Sequence, residues 1–216
     1  MSYLNITHKD SVAIITLDLP GEKVNKLNES MMDEFSTFLD VLEANDELIG
    51  AVLISGKKDT FIAGADIDMF QARDTAEEIE QLSKDGHKIL NRIADFKKPI
   101  AVAVHGSCMG GGLELSLACH YRVCSDSSKT IFALPEVKLG ILPGTGGTQR
   151  LPRLIGLQNS LPYMLAGKNI YTRQAKRMGL VDEVTHKDAI EKAAIKGVHK
   201  IVDGKFDRKD KRPLMH

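Results

Sequence analysis

The chain has 216 residues, of which 43% are hydrophobic, so it is long enough for one domain with a substantial core. Lys and Arg together number 29, as do Asp and Glu, and this zero net charge excludes the strongly basic character typical of nucleic-acid-binding proteins. No apolar run reaches the roughly 18 residues that a membrane-spanning helix needs, and the N-terminal residues lack a signal-peptide pattern.

The three cysteines argue against a disulfide framework, because Cys108, Cys119 and Cys124 are odd in number and widely spaced. His105 and His120 lie close to them in sequence, but no Cys-x-x-Cys pair and no His-Glu-x-x-His motif is present. We therefore expect buried thiols and no metal site. Free thiols also favour a cytoplasmic location, where the redox environment is reducing.

Short runs of β-branched and apolar residues predict buried strands at Val12–Leu17, Ala51–Ser55 and Ile100–His105. Between them, apolar residues recur at helical spacing over Ser30–Glu43 and Ala76–Phe96. The core-facing positions expected in the second of these helices are Ile79, Leu82, Ile89, Leu90 and Ile93. Alternation of strands and helices predicts an α/β fold with a partly parallel sheet.

The rest of the chain is expected to be mainly helical. Gly110–Cys119 is apolar on every side and is therefore predicted to be an interior helix. Further helices are predicted at Gly147–Leu154, Leu157–Leu165, Thr172–Met178 and Lys187–Val202. The polar and charged residues 203–216 predict an exposed tail or a cut linker after a domain that spans residues 1–202.

The most informative segment, Gly106–Ala118, reads GSCMGGGLELSLA and carries Glu114 just after three glycines. A glycine-rich turn into a helix exposes backbone N–H groups where negative charge is stabilised. A second carboxylate, Glu136, follows a strand-like stretch. Two acids facing each other across a pocket could move protons beside a developing oxyanion, although a triple glycine alone is as often a device for close helix packing.

A second glycine turn lies in Phe61–Phe70, which reads FIAGADIDMF. Taken alone, it is best interpreted as a tight strand-to-helix loop that Asp66 caps. Together with the triple glycine, it could aim a second N–H donor at the same carbonyl oxygen. A third glycine loop, within Gly140–Pro152, matches no nucleotide-binding motif and is interpreted as a helix entry that braces the Glu136 loop.

Four segments together resemble the crotonase superfamily of enoyl-CoA hydratases and isomerases. They read FIAGAD, HGSCMGGGLELSLACHYRV, LPEVKLGILPGTGGTQRLPRLIG and AGKNIYTRQAKRMGLVDEV. The loop at Ser125–Lys129 is similar to that of the multifunctional fatty-acid-oxidation α subunits, whose N-terminal hydratase/isomerase part the chain resembles up to about Val202. The resemblance implies a crotonase-like fold of repeated ββα units with partly parallel sheets and a helical C-terminal part.

The resemblance also implies roles for individual residues. The amides of Ala65 and Gly111 match the two oxyanion-hole donors, Glu114 matches the residue that activates water, and Glu136 matches the residue that exchanges a proton at the substrate α-carbon. Contacts to acyl-CoA are expected from Ala63, Gly64, Asp66, Ile67, Asp68, Gly110, Lys23 and Lys26. The two lysines have the alternative of being ordinary solvated loop charges.

The activity implied is hydration of 2-trans-enoyl-CoA in fatty-acid β-oxidation, with isomerisation of 3-enoyl-CoA as a second activity. No cofactor is expected, because coenzyme A is part of the substrate. The multifunctional subunits that the chain resembles also carry a 3-hydroxyacyl-CoA dehydrogenase part, and a homo-oligomer or a thiolase-containing complex is expected for such a parent protein.

Two other functions remain open from the sequence. The chain could be a non-catalytic or weakly active module of such a complex. It could also use the oxyanion hole for another crotonase chemistry, such as thioester hydrolysis or decarboxylation. The pair of glutamates favours hydration over both.

Overall fold

The computed structural model of the chain describes residues 2–206, without the side chain of Phe70. Its strands are β1 Leu4–Lys9, β2 Val12–Leu17, β3 Gly50–Ser55, β4 Thr60–Ile62, β5 Ile100–Val104, β6 Ser107–Met109, β7 Tyr121–Ser125, β8 Ile131–Ala133, β9 Ile170–Tyr171 and β10 Glu183–Thr185. Its helices are α1 Glu29–Ala44, α2 Ile67–Gln71, α3 Ala76–Ala94, α4 Gly111–Ala118, α5 Gly147–Ile155, α6 Leu157–Ala166, α7 Thr172–Met178 and α8 Ile190–Val202. Short 3-10 helices form at Glu136–Leu139 and Lys187–Ala189.

The strands form two sheets. A six-stranded sheet has the order β1-β2-β3-β5-β7-β10 and is parallel except for the β1–β2 pair. A four-stranded sheet has the order β4-β6-β8-β9, in which only β9 runs antiparallel to its neighbour. This mixed arrangement of sheets and helices confirms the predicted α/β fold with partly parallel sheets.

Successive strands alternate between the two sheets, and this alternation places the functional loops. The pairs β3–β4, β5–β6 and β7–β8 each contribute one strand to the large sheet and the next to the small sheet. Since β4, β6 and β8 are parallel, the segments that follow them leave the same edge of the small sheet. Those segments carry the two glycine turns and Glu136.

The predicted strands and most of the predicted helices match the structure to within about two residues, and β2 and α7 match in full. The C-terminal helix differs slightly, because its first residues, Lys187–Ala189, form a 3-10 turn before α8. The predicted core face of α3 is wrong over its N-terminal half. Only Leu90 and Ile93 are buried, whereas Ile79 is 37% exposed, because only the C-terminal half of the helix lies against the core.

Helix α4 lies in the interior, as predicted, and all of its residues are buried. Its backbone packs directly on β4, because a Cβ atom on Gly112 would lie 2.7 Å from the Cβ of Ile62. At its C-terminal end, the buried guanidinium of Arg122 donates to the carbonyl oxygens of Ser116 (3.2 Å) and Cys119 (2.8 Å). The helix is therefore fixed along its length and at its end.

Cys108, Cys119 and Cys124 are buried thiols, and burial raises the pKa of both Cys119 and Cys124 to about 12. Beyond α8, the ring of Phe206 packs edge-on against Tyr121 with 4.9 Å between ring centroids. The packed structure thus reaches four residues past the predicted boundary at residue 202. The rest of the expected tail, residues 207–216, lies outside the described residues. Within residues 2–206, no helix has both the length and the apolar character needed to cross a bilayer.

Candidate active site

Three chain segments meet at the edge of the small sheet. Gly110 lies at their centre, because a Cβ atom there would lie 3.1 Å from Glu136 Oε1 and 3.7 Å from the Cα of Gly64. Gly110 also has a φ of +51°, a backbone conformation that side chains of L-residues rarely tolerate. Glycine is therefore required here both for the turn and for the close approach of Glu136.

The amides of Ala65 and Gly111 form what we call the amide pair. Leu27 donates its N–H to Gly64 O (2.9 Å) and accepts one from Asp66 N (2.8 Å), so the intervening Ala65 N–H faces away from Leu27. A Cβ atom on Gly111 would lie 3.7 Å from the Ala65 nitrogen. Neither amide donates to an acceptor among residues 2–206, and Gly111 opens α4, where N–H groups have no partner within the helix. The pair is thus able to bind one external oxygen.

The loop that supports the amide pair depends on Asn25, a residue that the sequence did not single out. Asn25 is completely buried, and its backbone carbonyl accepts from the N–H of Ala63 (2.8 Å). Its side chain accepts from Leu19 N (2.9 Å) and donates to Leu17 O (2.9 Å), Ser55 Oγ (3.0 Å) and Phe61 O (3.1 Å). One side chain therefore ties the ends of β2, β3 and β4 together just before the first glycine turn.

Glu114, on α4, is a carboxylate surrounded by donors. It is 2% exposed, and its Oε1 accepts from the backbone N–H groups of Thr145 (2.9 Å) and Gly147 (2.7 Å). Its Oε2 accepts from the Thr145 hydroxyl. Three hydrogen bonds therefore fix the orientation of this carboxyl group.

The Thr145 contacts revise the interpretation of the third glycine loop. Ile141 N donates to Glu136 O (3.2 Å), so the loop does support the Glu136 turn as predicted. The side chain to which the amides of this loop donate, however, is that of Glu114. The sequence did not indicate this contact. The start of α5 offers amides without intrahelical partners, and the Glu114 carboxylate is placed to accept from them.

Glu136 has the opposite environment. It opens the 3-10 helix that follows β8 and is 9% exposed, and its Oε2 is buried with no hydrogen-bond partner among the described residues. Burial raises the pKa of Glu136 to about 7, and the negative charge of Glu114 contributes to the rise. At neutral pH this carboxyl group is therefore partly protonated and able to donate.

The remaining predicted contact residues lie around the rim of the first glycine turn. Lys26 Nζ is 3.5 Å from the Asp66 carboxylate, whereas Lys23 is exposed. Asp66 also accepts from Asp68 N (3.4 Å), as expected for a residue that caps α2. Among the remaining contacts, the side chains of Ala63, Ile67 and Asp68 are exposed. The structure thus brings Lys26, but not Lys23, against the strip that follows the glycine.

The arrangement supports proton-transfer chemistry beside a stabilised oxyanion. It combines two unpaired amides, a carboxylate held by three donors and a second carboxyl group with a raised pKa. Within residues 2–206, no three His, Cys, Asp or Glu side chains come together as candidate metal ligands.

The chain belongs to the enoyl-CoA hydratase/isomerase family, whose model matches residues 7–208. Among curated proteins, it is 48% identical over 207 residues to the fatty acid oxidation complex subunit alpha of Shewanella amazonensis, covering 95% of this chain and 29% of the relative. It is 51% identical over 181 residues to the same subunit of Shewanella oneidensis, covering 83% of this chain and 26% of the relative. The chain therefore spans between a quarter and a third of the length of these relatives.

Solved structures of the same family share the fold. The enoyl-CoA hydratase of Bacillus anthracis superposes with a TM-score of 0.85 at 29% identity, covering 93% of this chain and 77% of that protein. The enoyl-CoA hydratase of Thermoplasma volcanium gives a TM-score of 0.80 at 30% identity, covering 96% of this chain and 79% of that protein. The likeness therefore extends over nearly the whole described chain.

Proposed function

We propose that the chain adds water reversibly across the double bond of 2-trans-enoyl-CoA thioesters in fatty-acid β-oxidation. The single observation that carries the proposal is the pair Glu114 and Glu136, held beside the amide pair in opposite hydrogen-bonding environments. Membership of the enoyl-CoA hydratase/isomerase family and the relatives' names support the substrate class.

The amide pair would bind the thioester carbonyl oxygen. When water adds at the β-carbon, negative charge moves onto this oxygen and forms an enolate, which the two N–H groups stabilise. One such donor is typically worth about 2.7–4 kcal/mol of the barrier. The Gly111 amide adds the favourable dipole at the start of α4.

The two glutamates would then divide the proton transfers. Glu114, which accepts three hydrogen bonds, is the base that takes a proton from water as the oxygen bonds to the β-carbon. Glu136, whose pKa is about 7, gives its proton to the α-carbon of the enolate. One proton is gained and one lost at the protein, and exchange with solvent restores the starting state. These steps need no separate cofactor. That the protein works without one remains a prediction.

Isomerisation of 3-enoyl-CoA is proposed as a second activity of the same site. It requires a proton to leave the α-carbon and another to arrive at the γ-carbon, and one acid/base beside the amide pair suffices. Glu136 is the group we assign to this transfer.

The proposal is tested by replacing Glu136 with glutamine, which keeps the shape but removes the proton donor. We expect Glu136→Gln to lower the kcat for crotonyl-CoA hydration by about 10²- to 10⁴-fold and to leave acyl-CoA binding within a few-fold, because general acid catalysis has that magnitude. The loss of enoyl absorbance measures the rate, and calorimetry measures the binding.

Glu80→Gln is the matched control, since Glu80 lies on the exposed face of α3 in an ion pair with Lys84. The control should keep the parent rate. A Glu136→Gln variant that hydrates at the parent rate would contradict the proposal. A parent chain without turnover would favour the alternative of a non-catalytic module.

We also propose that the chain works within a larger assembly. The relatives are named as subunits of a fatty acid oxidation complex, and the chain spans 26–29% of their length. A 3-hydroxyacyl-CoA dehydrogenase part, a thiolase partner, self-association and a cytoplasmic location all remain predictions for the protein to which this segment corresponds.

A further inference from the structure

Thr145 makes two contacts that depend on one torsion angle. Its hydroxyl donates to Glu114 Oε2. Its Cγ2 methyl packs against Gly86, only 2.4 Å from the position that a Cβ atom on Gly86 would occupy. Both groups are attached to the same carbon. Rotation about χ1 that moved the methyl would therefore also carry the hydroxyl away from Glu114.

The backbone around Thr145 is held in place by α3 and α5. Arg150 Nη1 donates to Thr145 O (2.8 Å), and its Nη2 donates to Asn91 Oδ1 (2.6 Å) on α3. Ser83, also on α3, donates its hydroxyl to Gly144 O. Because these hydrogen bonds hold the backbone on both sides, the contact between Thr145 and Glu114 changes most easily by rotation about χ1 of Thr145.

Gly86 lies in the middle of α3, where glycine is a poor helix former. It is the one glycine of that helix, and its open side faces the Thr145 methyl. The space left by its missing side chain explains why glycine is present at this position.

We propose that Thr145 is a positioning residue for Glu114 and that Gly86 provides the space that keeps its hydroxyl on the carboxylate. The inference rests on the proposed function, because it makes α3 a support for the base of the hydration reaction. Helix α3 would thus help to set the orientation of Glu114.

The first test removes the hydroxyl and keeps the shape. We expect Thr145→Val to lower kcat by about 10- to 100-fold, since a hydrogen bond to a charged group is lost, and to change KM for crotonyl-CoA by less than about twofold. Thr145→Ser keeps the hydroxyl and should keep most of the rate.

The matched control is Thr37→Val on the exposed face of α1, where the hydroxyl donates only to Asp33 O. It should leave the rate unchanged. A Thr145→Val variant with the parent kcat would overturn the positioning role. A Thr145→Ser variant slower than Thr145→Val would also overturn it, because loss of packing alone would produce that result.

The second test fills the space. Gly86→Ala should lower kcat in the parent, because the new methyl collides with Cγ2 of Thr145. In the Thr145→Ser background the collision partner is absent, so the same substitution should be tolerated. We expect the double variant to be faster than Gly86→Ala alone.

The same pair of substitutions can be followed by thermal unfolding, which does not require turnover. Gly86→Ala should lower Tm in the Thr145 parent and raise it in the Thr145→Ser background, where alanine simply stabilises the helix. An equal change in Tm in both backgrounds would overturn the role of Gly86. A parent chain without hydratase activity would contradict the proposed function. The opposite Tm changes in the two backgrounds would still test the contact between Gly86 and Thr145.

Discussion

Glu114 and Glu136 are chemically identical side chains whose neighbours give them different properties. Glu114 accepts hydrogen bonds on both oxygens, whereas Oε2 of Glu136 is buried with no partner among the described residues. The sequence identified both residues, but not their environments, because the donors come from Thr145 and Gly147 of a loop interpreted mainly as a brace for Glu136. The roles carried over from the family resemblance stay predictions until the variants are measured.

Stability should depend on pH through Glu136. Its folded pKa of about 7 lies above the ordinary value of 4.5, so the folded state binds more protons than the unfolded state between these values. The stability that the protonated carboxyl group contributes is fully present below pH 4.5 and is lost as pH rises through 7. We expect Glu136→Gln to be within about 1 kcal/mol of the parent at pH 5 and to be more stable at pH 8 by at most about 3 kcal/mol, less where water screens the carboxylate.

Urea unfolding at the two pH values measures this difference. Burial lowers the pKa of His105 and His120, and their titration also affects stability near neutral pH, so the comparison with the variant is needed to isolate Glu136. Equal stability differences between parent and variant at pH 5 and pH 8 would contradict the raised pKa.

At the scale of elements, apolar runs and helical periods in the sequence were predictive, but most of the short strands were not predicted. Strand β2 matches its predicted bounds, because a run of β-branched and apolar residues defines it. Strands β4, β6 and β8 have three residues each, too few for any periodicity, yet they place the three functional loops. Nothing in the sequence pointed to a role for Asn25 either, because a polar residue in a loop is usually solvated. Only the fold reveals that Asn25 is buried.

Removing the Asn25 side chain should loosen the ends of three strands together. We expect Asn25→Ala to lower the free energy of unfolding by about 2–4 kcal/mol, because it leaves several buried backbone groups without partners. Chemical denaturation measures the loss. Asn169→Ala, at an exposed loop position, is the control and should stay within about 0.5 kcal/mol of the parent. An Asn25→Ala variant as stable as its control would show that the hydrogen bonds carry no net stability.

At the scale of the whole molecule, a set of large apolar side chains beside the site is exposed. The most exposed are Leu142 (76%), Leu165 (69%) and Leu139 (64%), in the segment after Glu136 and in α6. The end of α6 lies against this turn, because a Cβ atom on Gly167 would be 3.3 Å from Pro135 Cα. Exposed apolar surface of this kind is typical of protein contacts.

If this surface mediates self-association, its loss should shift the oligomeric state. We expect the parent chain to sediment as a concentration-dependent oligomer, and the double variant Leu139→Ser, Leu142→Ser to sediment as a folded monomer, since both side chains are exposed. Analytical ultracentrifugation across a concentration series measures both proteins. A parent that is monomeric at every concentration would contradict the predicted self-association.

The alternation of strands between the sheets has a consequence for folding. Ala65, Gly111 and Glu136 come from three successive ββα units, so the site exists only when all three units have docked. Contacts between residues so distant in sequence form slowly. During refolding, helical signal should therefore return before the proposed binding of acyl-CoA, and mild denaturation should abolish that binding while much of the secondary structure survives.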